Sequence, residues 1–213
     1  MLRGNHETSE VNSLYGFKDD CLEQYDLSVW EAFSDCFNCL PLVCLVGNKI
    51  LCMHGGLSPN FSSLDQIRDI PRPLDIPQSG LICDLLWSDP TPEDVHNKNC
   101  GYCFNSSRNT SVWFCNHAIK DFMQKHAIAR IVRGHEMPEE GFAFSCDKRL
   151  VTLFTAPRYC GGSNDSAIMH IDKDLHFSIE CIVRVTKPEE ALKLESAKQT
   201  DELTRRESKK TGG

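Results

Sequence analysis

Three residues of metal-ligating type stand in glycine-flanked segments far apart in the chain. They are Asn5 in Arg3-Gly4-Asn5-His6-Glu7, His54 in Cys52-Met53-His54-Gly55-Gly56, and His135 in Arg133-Gly134-His135-Glu136. An imidazole nitrogen suits Mn, Fe or Zn, and an asparagine amide oxygen suits the harder ions among these. Gly4, Gly55, Gly56 and Gly134 let the backbone turn sharply and come close to an ion or a phosphate. The three residues make one site only if the fold delivers them to one point.

The flanking patterns predict how that happens. Leu42 to Val46 and Ile50 to Met53 are short apolar runs separated by Gly47-Asn48-Lys49, the pattern of a hairpin, so His54 falls at a strand end. Ala129 to Val132 is a β-branched run that ends at Arg133-Gly134-His135, which places a second histidine at a strand end. Loops after strand ends are where mixed α/β folds build sites, because the sheet fixes positions while the loops vary. Asn5 is expected to reach the same point from a loop that follows a strand.

Further elements frame these strands. Ser28 with Glu31 three residues on reads as a capping box opening an amphipathic helix to Leu40, with Val29, Trp30, Phe33 and Phe37 at helical spacing. Ser63 with Gln66 opens a short helix that ends before Pro71. Thr110 to His126 reads as one helix with Trp113, Phe114, Ile119, Phe122 and Met123 mostly on one side. Phe142 to Phe144, Leu150 to Phe154, Ala167 to Ile171 and Phe177 to Val183 read as late strands. From Lys187 the chain is charged with sparse leucines, so residues 187–213 are expected to be a disordered tail after a domain of residues 1–186.

The 213 residues carry a formal charge of −7 with 40% apolar and 25% charged residues, which describes a single globular domain. That balance argues against the broad basic face of a nucleic-acid binder. The apolar stretch Cys39 to Val46 is too short to span a bilayer, which takes about 20 residues. The 12 cysteines sit inside apolar runs in a chain longer than most disulfide scaffolds, so a reducing compartment, cytoplasm or nucleus, is expected.

Arg3-Gly4-Asn5-His6-Glu7, Cys52-Met53-His54-Gly55-Gly56-Leu57-Ser58-Pro59, Leu86-Trp87-Ser88-Asp89-Pro90, Arg133-Gly134-His135-Glu136 and Thr155-Ala156-Pro157-Arg158-Tyr159-Cys160-Gly161 occur in that order. Together they resemble the serine/threonine phosphoprotein phosphatases, closest to the protein phosphatase 1 type, from Leu2 to about Arg184. The resemblance implies an α/β (α+β) metallophosphoesterase fold with a central β-sandwich of mixed sheets flanked by helices. It implies hydrolysis of phosphoserine and phosphothreonine in proteins by a water activated between two divalent ions, Mn, Fe or Zn, with phosphoproteins as substrates. Asn5, His54 and His135 carry over as ligands of one ion and His6 as the general acid. Arg108 carries over as the phosphate-binding arginine and Tyr159 as a hydroxyl beside the phosphate. Phe144, Leu175, Phe177 and Ile179 match a groove for short hydrophobic motifs of regulatory subunits.

The motifs Gly-Asp-x-His-Gly and Gly-Asp-x-Val-Asp-Arg-Gly, which precede the asparagine loop in this family, are missing. The resemblance therefore implies an N-terminally truncated domain that holds at most one ion by itself. Arg158 stands where the family has Asn and Gly134 where it has Ala or Ser. The loop after Cys160 is shortened, and Arg108 lies among Ser106, Ser107 and Asn109 in place of acidic and glycine neighbours. Two alternatives remain. Cys36, Cys39, Cys100 and Cys103 have the paired spacing of a four-cysteine zinc site, although Cys36 and Cys39 are expected as buried core thiols of their helix. A catalytically impaired phosphatase-like protein that binds regulatory partners is the other.

Overall fold

The computed structural model describes residues 1–92 and 101–182. Met1–Cys181 form one compact unit. Cys100, Val183, the boundary at residue 186 and the tail 187–213 lie outside the described residues. Among the described residues no helix is long and apolar enough to cross a membrane.

The centre is a five-stranded sheet. Val43–Val46 (β1) and Ile50–Met53 (β2) form the expected hairpin, with Val46 opposite Ile50 and both Gly47 and Asn48 at positive φ in the turn. β2 runs parallel to Arg130–Arg133 (β6), and β6 runs parallel to Leu150–Leu153 (β8). Phe142–Ser145 (β7) closes the far edge antiparallel to β8, giving the order β1-β2-β6-β8-β7. The three inner strands β2, β6 and β8 thus share a direction, and their carboxyl ends lie side by side. A two-stranded sheet of Ser166–Ile171 (β9) and Phe177–Ile182 (β10) supplies a second layer. Its Phe177 ring lies 6.3 Å from Phe144 and 4.2 Å below the Arg130 guanidinium. This mixed architecture agrees with the expected fold class.

Strand alternation sorts the hairpin residues. Leu51 and Met53 are buried in the main core with Val43 and Leu45 packed beside them, against Ile119, Phe122 and Met123 of the helix Asn116–Lys125 (α6). Cys44, Val46, Ile50 and Cys52 therefore point to the other face.

Four sequence expectations need correction. The stretch from Thr110 is not one helix: Val112–Phe114 forms β5, paired with Asp89–Pro90 (β3) and Tyr102–Phe104 (β4), and α6 begins only at Asn116. A β-branched and aromatic triplet gains more from pairing with β3 and β4 than from opening a helix, so helical spacing at Trp113 and Phe114 was coincidental. The cap of the helix Leu27–Asn38 (α3) is Asp26, whose Oδ1 accepts from Ser28 N at 2.8 Å, rather than Ser28 itself. Cys36 and Cys39 are exposed, not core thiols. Phe33 and Phe37 of α3 meet Phe17 of the helix Phe17–Gln24 (α2) with ring centroids 5.2 and 5.9 Å apart, so this face builds a satellite cluster outside the main core. Finally, Asn5 follows no strand among the described residues.

The second capping box is present. Gln66 N donates to Ser63 Oγ and Gln66 Oε1 accepts from Ser63 N, ahead of Asp65–Arg68 (α4). The helices Ser9–Leu14 (α1), α2 and Leu81–Trp87 (α5) went unrecognised in the sequence; α5 buries Cys83, Asp84, Leu85 and Leu86 and so lacks an exposed face to give it a period.

Gly56 follows β2 and passes under the fully buried Phe114, where a Cβ would lie 2.1 Å from the Phe114 ring. Gly56→Ala is expected to lower unfolding free energy by about 1–3 kcal/mol through overpacking. Urea denaturation of the two proteins measures it, and an unchanged midpoint would refute the close-contact argument.

Candidate functional site

The carboxyl ends of the three parallel strands meet one cavity of about 590 Å³, lined by Asn5, His6, His54, Arg108, His135, Glu136, Met137, Phe154 and Tyr159. β2 ends one residue before His54, β6 two residues before His135, and the chain leaving β8 runs through Phe154 to Tyr159. Gly134 N donates to His54 O at 3.0 Å, so the pairing of β2 with β6 continues into the loops that carry the two histidines. His54 and His135 face each other with ring centroids 5.1 Å apart, and Trp87 packs edge-on against His135 at 5.5 Å.

Asn5 is brought in by its own loop. The buried Arg3 donates to Glu7 O, Leu74 O and Asn38 Oδ1, while Arg3 N donates to Pro41 O. Gly4 N donates to Glu7 Oε2 at 2.8 Å, and a Cβ at Gly4 would lie 2.9 Å from His54 Nδ1, so only glycine lets this loop lie so close. The result is that Asn5 Oδ1 sits 2.8 Å from His54 Nε2. His6 is exposed beside it, its ring 5.2 Å from that of Tyr15.

The sequence reading missed the group that ties these loops together. Arg133 is fully buried and donates to Gly55 O at 2.6 Å, Ser88 O at 3.0 Å, Asp89 Oδ1 at 2.7 Å and Glu136 Oε2 at 2.7 Å. The buried Asp89 carboxylate passes the network on: its Oδ2 accepts from Arg108 Nε at 2.9 Å and from Asn105 Nδ2 at 3.0 Å. Arg108 also donates to His135 O at 3.3 Å. Both residues lie in motifs visible in the sequence, Ser88-Asp89-Pro90 and Arg133-Gly134-His135, but a charge partner 44 positions away leaves no local signal.

Burial decides the charge states. It pushes His54 down to about 4, helped by the Arg133 guanidinium, and His135 down to about 2 against the pull of Asp89. Burial works against the Asp89 carboxylate too, yet the Arg133 and Arg108 guanidinium groups hold it below the usual carboxylate range. Both imidazoles are therefore neutral and Asp89 is ionised at neutral pH. The Nε2 atom of His135 is buried without a hydrogen-bond partner, 3.9 Å from Asp89 Oδ1. Two neutral imidazoles and an amide oxygen are a donor set that fits a divalent transition ion, and a carboxylate beside a ligand histidine is the usual outer partner of such a site.

Other candidates are placed differently. Tyr159 is in the cavity, its ring edge-on to Phe154 at 5.1 Å and its N–H on Asn164 Oδ1. Arg158 is exposed and does not line the cavity. Phe144 is 37% exposed, with Lys148 Nζ 5.7 Å from its ring centroid. Leu175 packs against Gly47, and Ile179 is half-buried in β10. Among the described residues no cysteine joins a metal-type cluster; the group close enough is Asp172, Asp174 and His176, exposed in the β9–β10 turn. There Asp172 Oδ1 already accepts from the N–H groups of Asp174 and His176.

Two measurements check this electrostatic picture. Asp89→Ala strands a buried guanidinium and is expected to cost about 3–5 kcal/mol of unfolding free energy; a loss below about 1 kcal/mol, the level of an exposed pair, would mean the network carries no weight. In the metal-free chain, His54 binds its proton at about 4 when folded and at 6.5 when unfolded. The unfolded state thus holds more protons between those values. Stability is complete above pH 6.5 and falls as pH drops toward 4, by on the order of 3 kcal/mol from this residue. Thermal melts across that range in chelator should show the fall, which His54→Gln should reduce.

The sequence profile of the calcineurin-like phosphoesterases matches residues 1–139. Among solved structures, a protein serine/threonine phosphatase from Saccharomyces cerevisiae with similarity to human phosphatase PP5 superposes with a TM-score of 0.77 at 30% identity. The match covers 88% of this chain and 61% of that one, so the chain spans about three-fifths of the yeast phosphatase's length. A cold-active protein tyrosine phosphatase reaches a TM-score of 0.40 at 12% identity, too slight a likeness to bear on the argument. With its profile match running through all three ligand-type loops, the chain belongs to the calcineurin-like phosphoesterase family.

Proposed function

We propose that this protein is a metal-dependent phosphatase acting on phosphoserine and phosphothreonine in proteins, in the cytoplasm or nucleus. The observation that carries the reading is one cavity containing two neutral histidines, a buried asparagine oxygen and an arginine fixed by a buried carboxylate. Asn5, His54 and His135 would hold one ion, Mn, Fe or Zn. Bound ions would supply Lewis acidity to the phosphoryl oxygens and lower the pKa of the attacking water.

The chain's own residues do the rest. Arg108 is anchored through Nε to Asp89 and through one terminal nitrogen to His135 O. Its terminal nitrogens carry the remaining N–H donors, which suit phosphate oxygens whose charge grows in the transition state. His6, at the cavity rim beside Tyr15, delivers a proton to the departing serine or threonine oxygen. Tyr159 offers its hydroxyl from the opposite loop. The exposed side chains of His6 and Tyr159 leave the cavity open to a protein substrate.

A second reading, a phosphatase-like protein that binds regulatory subunits, is supported by the exposed Phe144 beside Phe177. Elemental analysis after Mn²⁺ loading should find at most one ion per chain, lost in His54→Ala and in His135→Ala. Residues 1–213 lack the two aspartate motifs, so their phosphopeptide turnover should match that of the doubly substituted control. In a longer chain carrying those motifs upstream of Met1, turnover should appear, and Arg108→Ala should lower kcat/KM by ~10²-fold. No turnover in the longer chain would sink the enzyme reading in favour of the second; metal retained in both histidine variants would sink the ligand assignment.

A further inference from the structure

The β1–β2 hairpin holds a pair of thiols that the candidate site does not use. Cys44 and Cys52 are directly opposed in the antiparallel ladder, between the pairs Val43–Met53 and Leu45–Leu51. Opposed residues project to the same face, here the face away from the main core. Their Cα atoms are separated by about 4.5 or 5.5 Å according to the type of ladder pair, and both values fall in the span of about 4.4–6.8 Å that a disulfide bridges. The Cα spacing of an opposed pair is therefore compatible with the bond, which asks only that the two Cβ atoms draw slightly together. Cys44 is exposed and Cys52 half-buried, so one sulfur meets solvent while the other waits beside it.

We propose that Cys44 and Cys52 are a reversible oxidation site, closing to a cross-strand disulfide when a peroxide reaches the hairpin. The Cys44 thiol takes one oxygen from the peroxide and becomes a sulfenic acid, releasing water when the oxidant is hydrogen peroxide. The Cys52 sulfur then attacks the sulfenic sulfur. The sulfur–oxygen bond breaks, and the departing hydroxyl leaves as a second water with the Cys52 proton. Two thiols are oxidised and one peroxide is reduced. A dithiol reductant reverses the bond by exchange. The other cysteines of this region are placed less well: Cys36 and Cys39 are exposed at the end of α3, with no strand partner to set their distance. The bond would tie β1 to the strand that ends one residue before His54.

The experiment uses the purified chain, reduced, treated with hydrogen peroxide, alkylated and digested. Lys49 lies between the two cysteines, so trypsin puts them in different peptides that stay joined only through the disulfide. Tandem mass spectrometry should find a Cys44–Cys52 link that dithiothreitol removes, and Cys44→Ser should leave Cys52 open to alkylation after the same treatment. Circular dichroism of wild-type and variant establishes that both are folded. Cys44 recovered as sulfinic acid with Cys52 still alkylated, or Cys44 linked chiefly to Cys36 or Cys39, would overturn the proposal.

Discussion

The loops that carry the two histidines and Arg108 depend on one buried guanidinium, that of Arg133. Taking an arginine out of water costs several kcal/mol, and Arg133 is tolerated only because acceptors on several segments surround it. Gly55 O comes from the turn after His54, Ser88 O from the cap of α5, Asp89 Oδ1 from β3, and Glu136 Oε2 from the residue after His135. Loops that would otherwise move separately are thereby held to one planar fork. Asp89 carries the constraint onward to Arg108, so the histidine pair and Arg108 share one network.

The same cluster explains why the histidines suit ligation. Burial, with Arg133 close by, makes protonation of His54 and His135 costly, and a protonated imidazole has no lone pair to give an ion. The parallel run of β2, β6 and β8 supplies the geometry, since only parallel neighbours place their following loops at one end of a sheet. Asn5 obeys a different logic. Its position comes from Arg3 clamping a loop onto Pro41, Asn38 and Leu74, a polar anchor.

Departures from the phosphatase pattern also find a place in the structure. At Gly134 a Cβ would meet His54 Nδ1 only at 3.6 Å, an ordinary contact, so this glycine is not forced by space. The residue at 158 is in the left-handed region at φ 55°, a conformation more natural to the family's asparagine than to arginine. Arg108 keeps its anchor despite altered neighbours, because Asn105 and Asp89 hold it and Ser106 and Ser107 point to solvent.

Much was legible in the chain itself. The hairpin around Gly47-Asn48, the strand before Arg133, the Ser63–Gln66 cap and the five ordered motifs depend on neighbours within a few residues, and local backbone preference settles them. Trp113 and Phe114 were misread because a triplet of strand residues next to a true helix has no period of its own, and only pairing with β3 and β4 decides it. Cys36 and Cys39 were misread because apolar spacing on a helix does not say which of its residues are covered: Phe33 and Phe37 meet Phe17, and the two thiols stay exposed. The sequence by itself determined which residue types stand in which loops. Only the tertiary structure decided that Asn5, His54, His135 and Arg108 share one cavity and that Asp89 and Arg133 hold it together, because Coulomb energy depends on separation in space and burial, and chain order encodes neither.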